Sequence, residues 1–504
     1  MAKYLLGIDN GGTVSKAALF TLDGKEIAVA SRKTGTLTPQ PGWAERDIEE
    51  AWRATAEAIK EVVTESGAAP DEIVGVACTG HGNGIYLVDK KGNPVRNAIM
   101  SMDSRARQYI EQWSTDGVDE AIRPKTMQSI WPAQPNALLA WLRDNEPDTM
   151  KRAGWVLMCK DYIRFRLTGE IYAELTDMSG TSLMNVGTAE YDPDVLEAFG
   201  IGEMQDLLPP LKGTADVCGQ VTADAAAQTG LKEGTPVAGG MFDIDACGLA
   251  SGIVNESQLC MVGGTWGNNQ YISETPVVDK DVFMTSCYSI PGYYLMLEGS
   301  ATSASNLEWF VTQFFEAERD LAKQKGTSVY DLCNELVAST KPQDPNVVFL
   351  PFLFGSNVSP DAKSCFIGLT GWHNRGHVLR AIYEGVVFGH MTHVERLLKF
   401  RDMPETIRLT GGASQSEVWV QIFADCFQTP VQVPEGTELG ALGAAIAAGI
   451  AVGCHPSYDA AIDAMVSFSR VQEPDSSLKD VYGKKYAHYK TVLAALDPIW
   501  KDLS

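Results

Sequence analysis

The sequence predicts an α/β protein in which one structural unit is used twice, and three observations carry that prediction. The first is the N-terminal stretch. Its apolar run Tyr4-Leu5-Leu6 passes through Gly7-Ile8-Asp9-Asn10-Gly11-Gly12-Thr13 into a second apolar run, Lys16-Ala17-Ala18-Leu19-Phe20. That is the pattern of two strands joined by a tight glycine turn. The second is its echo at Leu259-Cys260-Met261-Val262-Gly263-Gly264-Thr265-Trp266-Gly267, which suggests a duplicated architecture. The third is that other apolar strands run into glycine-rich corners followed by helices. A chain of 504 residues is too long for one core, so two or three domains are expected.

The glycine turn has a chemical reading. Glycines let a ligand approach the backbone, turn N–H groups can cradle an anion, and Thr13 adds a hydroxyl donor. Asp9 cannot hold a bare phosphate, but an acid beside a phosphate cradle fits a divalent cation between them. The bland alternative is an ordinary Asn-Gly hairpin. A dinucleotide-binding fold would place a helix directly after its first glycine loop; here a strand follows, and Ile27-Ala28-Val29-Ala30 continues the meander. No G-x-x-x-x-G-K-[ST] motif is present, which excludes a P-loop.

Farther along, Pro41–Asp47 reads as a loop. Asp47 is the expected cap of a helix whose one face carries Ile48, Ala51, Trp52, Thr55, Ile59 and Val62, with Glu50 at the capping-box position. Ile73–Cys78 is a buried strand ending in Thr79-Gly80-His81-Gly82-Asn83-Gly84, and ligands of α/β folds bind at such strand ends. Asp103 and Arg105 close a short apolar run, read either as a surface ion pair or as an acid facing a polyhydroxylated ligand. Helices are expected over 131–145 and from Lys160. Near Pro236–Asp245 a strand passes through Gly239-Gly240 into a small-residue helix carrying two acids, Asp243 and Asp245, one of which could serve only as a cap. Gly411-Gly412 follows the strand Ile407–Leu409 and precedes a helix, a corner that fits a nucleotide base and sugar. Gly376–Phe400 reads as a long amphipathic helix whose His390 and His393 lack a third ligand for a metal. Gly436–Ala445 opens a glycine–alanine helix suited to close packing, and 482–500 a terminal helix.

Composition narrows the function. The chain is 45% apolar and 21% charged, as folded soluble proteins are. Its net charge of -23 argues against a nucleic-acid or anionic-membrane partner, which needs clustered Lys and Arg. It leaves room for a small phosphate ligand held by backbone N–H groups. The ten cysteines form no C-x-x-C pair, and buried thiols in a reducing cytoplasm are the simplest account. No signal peptide and no apolar run long enough to span a bilayer are visible.

Taken together, these pieces resemble the FGGY carbohydrate kinases, within the actin-like, hexokinase-like and Hsp70-like ATPase superfamily. The strongest local match is Cys365-Phe366-Ile367-Gly368-Leu369, seven residues, then His377–Glu384. The N-terminal signature departs at Leu138, where the family usually has lysine, and that residue's role is not carried over. The resemblance implies a two-domain actin-like/ribonuclease H-like α/β fold, with domains 1–246 and 247–504 and the active site in the interdomain cleft, closing against water. It implies ATP and Mg²⁺ as co-substrate and cofactor. The ATP phosphates would lie on Gly11, Gly12 and Thr13 and on Gly264 and Thr265, the adenosine beside Gly411, Gly412 and Ser416, and Mg²⁺ on Asp9 through water. Asp243 would accept the proton of the attacking sugar hydroxyl, with Glu45, His81 and Asp103 on the substrate side. The implied activity is phosphorylation of a terminal hydroxyl of a ketopentose by a cytoplasmic homodimer, with a polyol such as glycerol or erythritol, or another ketose, as the alternative substrate. A non-catalytic sugar sensor is the rival; related repressors carry a DNA-binding helix-turn-helix before the catalytic hairpin, whereas this acidic chain opens on the hairpin.

Overall fold

The computed structural model describes residues 2–357, 359 and 361–503. It divides into two compact units, neither continuous in sequence. Unit 1 comprises Met1–Val254, Ile272–Met296 and Gly436–Ser467; unit 2 comprises Asn255–Tyr271, Leu297–Glu435 and Phe468–Ser504.

Unit 1 is organised on the predicted meander, β1 (Tyr4–Asn10), β2 (Val14–Thr21) and β3 (Glu26–Lys33). β1 and β2 pair antiparallel, with Gly7 opposite Ala18 and Asp9 opposite Lys16. Leu5, Leu6 and Ile8 are fully buried, because helices pack on this sheet. One is α1 (Ile48–Glu65), whose N-cap Asp47 accepts from the N–H groups of Glu49 and Glu50. Glu50 does not turn back to its own helix end as a capping box would; it accepts from Gly35 N–H at 3.2 Å. β4 (Ile73–Gly80) lies parallel to β1. The helix α2 (Cys159–Thr168) follows, then β5 (Val217–Gln220), β6 (Pro236–Ala238), β7 (Met241–Phe242) and α3 (Asp243–Ala250). The sheet order is β5-β6-β4-β1-β2-β3, with β7 also paired to β4.

The glycine–alanine helix Leu439–Ala451 packs on β1, β4 and α3 within this same unit. Its small residues permit the expected close contact: a Cβ at Gly443 would stand 2.3 Å from the Ala246 carbonyl oxygen.

Unit 2 repeats the arrangement of a hairpin beside a parallel strand. β8 (Gln258–Gly263) and β9 (Gly267–Ser273, in this unit to Tyr271) form the second hairpin, and the part of β10 (Tyr294–Ser300) from Leu297 onward extends it. Helices α4 (Val329–Ala338) and α5 (Arg375–Leu397) come next. β11 (Thr406–Thr410) then pairs parallel to β8, as β4 does to β1. After α6 (Glu417–Phe427), β12 (Val431–Pro434) and β13 (Phe468–Gln472) follow, so that six of the sheet's seven strands run in the order β10-β9-β8-β11-β12-β13.

α5 is buried over most of its surface and so is more enclosed than an amphipathic helix. Its two histidines are satisfied core residues. His390 bonds Ser303 Oγ at 2.9 Å and Asn269 Oδ1 at 2.8 Å, and His393 bonds Ser300 Oγ at 2.9 Å and Glu298 Oε2 at 3.1 Å. All ten cysteines are free thiols. Among the described residues no helix is long and apolar enough to cross a membrane.

Candidate active site

Strand register builds the first half of the site. β4 lies between β1 and β7, with Thr79 opposite both Asp9 and Met241, and Gly80 opposite Asn10 and Phe242. Three adjacent parallel strands therefore deliver Asp9, His81 and Asp243 at their C-terminal ends, the end where α/β sheets bind ligands.

Asp243 is the first residue of α3 and remains partly accessible. Burial drives its carboxyl well above the ordinary range, and the nearby charges of Asp9 and Asp177 push the same way. The N–H groups of Ile244 and of Asp243 itself oppose the rise. Asp245, two residues on, is fully buried; its Oδ1 accepts from Ser289 N–H at 3.0 Å and Ser289 Oγ at 3.3 Å. Of the two acids, Asp243 is the one open to a ligand.

The corner that presents Asp243 is held from below. Phe242 N–H donates to Thr176 Oγ1 at 3.0 Å, and the Thr176 hydroxyl donates to Glu174 Oε2 at 2.8 Å. Thr79 Oγ1 donates to the Met241 carbonyl at 2.9 Å. Glu174 belongs to a fully buried charge cluster in which Lys160 Nζ lies 3.0 Å from Asp161, 3.1 Å from Asp177 and 3.5 Å from Glu174. Burial lifts the Asp177 carboxyl to about 7 despite the Lys160 ammonium.

Asp9 is also partly accessible, and burial raises its pKa to about 6 against the opposing charge of Lys16. Lys16 itself pairs with Glu438 at 2.7 Å. A Cβ at Gly440 would stand 2.5 Å from Asp9 Oδ2, so glycine there leaves room for the carboxylate. Among the described residues no group of three His, Cys, Asp or Glu side chains could hold a metal. A lone accessible carboxylate fits Mg²⁺, which keeps several waters and binds through one or two carboxylates plus substrate phosphates. Beside Asp9, Gly11 N–H donates to the Val14 carbonyl at 3.0 Å and the Thr13 carbonyl accepts from Thr34 N–H at 2.9 Å.

His81 is buried, and its Nε2 bonds the Tyr86 hydroxyl at 3.1 Å while Nδ1 has no partner. Burial, helped by the Arg46 charge, holds its pKa down at about 3, so the ring is neutral at pH 7. Glu45 and Asp103 come together on Arg105. Asp103 accepts from Arg105 N–H, Nε and Nη2 at 2.8–2.9 Å and from Ala44 N–H at 2.7 Å. Glu45 Oε1 accepts from Arg105 Nη2 at 2.9 Å, and Arg96 pairs with the same oxygen. The Asp103–Arg105 pair is therefore buried rather than a surface ion pair, and the guanidinium lies 3.9 Å over the Trp43 ring.

In unit 2 the second hairpin turn opens on a cavity of about 640 Å³ whose walls include Gly264, Thr265, Gly412, Ser416, Asn334, Tyr383 and Trp419. That is the size of a small-molecule site. Gly411 has φ +81°, and a Cβ there would stand 2.8 Å from Gly264 N, so only glycine lets the third corner close on the second hairpin. Ser416 caps α6 through Trp419 N–H at 3.1 Å and donates to Asn334 Oδ1 at 2.6 Å. The Tyr383 hydroxyl reaches the same oxygen at 2.8 Å, and its ring stacks on Trp419 at 4.2 Å between centroids. Four predicted residues thus line one cavity, and Gly411 shapes it. Asn334, Tyr383 and Trp419 were not singled out for it from the sequence; they come from three helices, and no local motif joins them.

The chain belongs to the FGGY family of carbohydrate kinases. The family's N-terminal domain matches residues 4–249 and its C-terminal domain residues 259–452. It is 39% identical to the L-xylulose/3-keto-L-gulonate kinase of Escherichia coli K12, across 98% of both chains. It is 37% identical to a probable L-xylulose kinase of Pasteurella multocida, across 98% of this chain and 99% of the other. A xylulose kinase structure from Rhodospirillum rubrum superposes with a TM-score of 0.88 at 28% identity, covering 99% of this chain and all of that one. The protein is therefore an ATP-dependent carbohydrate kinase, a phosphotransferase with an alcohol group as acceptor.

Proposed function

We propose that this kinase phosphorylates a terminal hydroxyl of a ketopentose, L-xylulose or a close relative, with Asp243 as the general base. The observation that carries the assignment is the pairing of an accessible Asp243 with a sealed Asp245 at the start of α3. The identity to L-xylulose kinases supports the substrate.

Phosphoryl transfer asks mainly for positioning and charge stabilisation. Gly11, Gly12 and Thr13 of unit 1 and Gly264 and Thr265 of unit 2 are assigned to the ATP phosphates. Gly411, Gly412 and Ser416 border the adenosine, with the cavity in unit 2 as support. Asp9 would hold Mg²⁺ through water, and the ion would supply charge neutralisation on the phosphates. Asp243, in its carboxylate form, takes the hydroxyl proton as the oxygen attacks. His81, neutral and with Nδ1 free, is suited to a sugar hydroxyl. Glu45 and Asp103 have oxygens engaged by Arg105, which supports a role through that guanidinium and the Trp43 loop. Reduced thiols and the acidic surface fit a cytoplasmic enzyme, and a homodimer is the default symmetric assembly, checked by sedimentation.

Two measurements test this reading. With ATP and a panel of L-xylulose, D-xylulose, 3-keto-L-gulonate, glycerol and erythritol, the highest kcat/KM is expected for L-xylulose; a polyol preferred over every ketose would overturn the substrate. Asp243→Asn is expected to lower kcat by ~10²-fold or more while ATP still binds. If Asp245→Asn does this and Asp243→Asn does not, the base is misassigned.

A further inference from the structure

Arg46 is a buried cation that none of these roles uses. It lies on the short strand Glu45–Arg46, paired antiparallel with Ala98–Ile99, and its relative exposure is 0%. The acids beside it in sequence are engaged elsewhere: Glu45 with Arg96 and Arg105, Asp47 with the start of α1. Among the described residues Arg46 makes no ion pair, and its Nε has no partner. A guanidinium without an ion pair is costly to bury, so its hydrogen bonds carry weight: one reaches the Tyr86 hydroxyl, and two reach the backbone. Nη1 donates to the Gly11 carbonyl at 3.2 Å, and Nη2 donates to the Gly12 carbonyl.

Those carbonyls belong to the first hairpin turn. In a trans peptide the C=O and N–H point in opposite directions within one plane. The Gly11 carbonyl shares its plane with the Gly12 N–H, and the Gly12 carbonyl with the Thr13 N–H. Drawing both carbonyls onto one guanidinium therefore turns both N–H groups to the opposite face. Among the described residues these two N–H groups have no protein acceptor, whereas the Gly11 N–H is used within the turn. Successive N–H groups on one side form an anion-binding nest.

We propose that Arg46 is a positioning residue for nucleotide: it clamps the Gly11 and Gly12 carbonyls so that the Gly12 and Thr13 N–H groups face a phosphate, and it adds an unpaired positive charge behind them. This rests on reading the turn as a phosphate cradle. The Arg46 charge only adds to the burial that already keeps His81 neutral.

The test is calorimetric titration of ATP and of ADP, separately, into wild type and the Arg46→Met, Arg46→Gln, Arg46→Lys and Thr13→Ala proteins, with melting temperature and sugar KM measured beside it. Arg46→Met is expected to weaken ATP or ADP by roughly 10-fold or more, the scale of a charge-assisted bond. Arg46→Lys, which keeps the charge but not the fork, is expected to recover part of the loss and Arg46→Gln less. Sugar KM should move under about 3-fold in the same scale of reckoning. A folded Arg46→Met that binds both nucleotides like wild type overturns the proposal. If Thr13→Ala, which removes the hydroxyl of the same turn, weakens nucleotide but the Arg46 variants do not, the brace fails while the turn still meets the phosphates; if no variant weakens nucleotide, the brace and the Thr13 hydroxyl contact both fail. If none of the three Arg46 variants folds, the residue is a folding requirement and the positioning role is overturned.

Discussion

At the scale of the residue, burial decides what each ionisable group can do. Asp243 and Asp245 are two positions apart and chemically identical, yet one is open and the other is committed to Ser289. The sequence left that choice between two acids near a helix start, because accessibility depends on a segment more than 40 residues away, at Ser289. His390 gives a test independent of catalysis. Burial holds its ring neutral with a pKa of about 3. A histidine that titrates near 6.5 when unfolded and near 3 when folded binds more protons in the unfolded state. Its contribution to stability is present above pH ~6.5 and is lost as pH falls toward 3. Between pH 7 and pH 5 that loss is about 2 kcal/mol. His390→Asn is expected to remove this share of the acid-side decline, measured as urea unfolding at the two pH values; an unchanged decline would show that His390 is not buried neutral.

At the scale of the element, the strand–corner–helix unit is what makes the site. The glycine turns, the meander and the strand at Ile73 are all legible locally, because apolar alternation and glycine placement are properties of neighbouring residues. The support beneath them is not. Lys160, Glu174, Thr176 and Asp177 come from two helices and a short strand, and no spacing in the chain announces that they share one buried cluster. Lys160→Met is expected to destabilise unit 1 by about 3–5 kcal/mol, because it strands buried carboxylates; equilibrium denaturation reads it. Thr176→Val removes the hydroxyl between Glu174 and Phe242 N–H. It is expected to lower kcat more than it raises the ATP KM, with Thr176→Ser restoring most of the loss. Equal effects on both would place Thr176 outside the Asp243 corner.

At the scale of the whole molecule, two compact units each carry a glycine hairpin beside a parallel strand, and the proposed roles give each a different part of the chemistry. The duplication was readable from two Gly-Gly-Thr turns. The partition was not, since Leu439–Ala451 returns from the C-terminal part of the chain to pack in unit 1. The family resemblance carried the kinase activity; composition excluded nucleic acid but could not name a sugar, because substrate choice lies in loops. ATP-dependent phosphorylation of L-xylulose by wild type and Asp243→Asn, with ATP binding measured on both, decides whether Asp243 is the base of a ketopentose kinase. Robust transfer by wild type, a fall of ~10²-fold or more in the variant and near-equal ATP affinity are expected. Transfer by the variant at the wild-type rate would contradict that role.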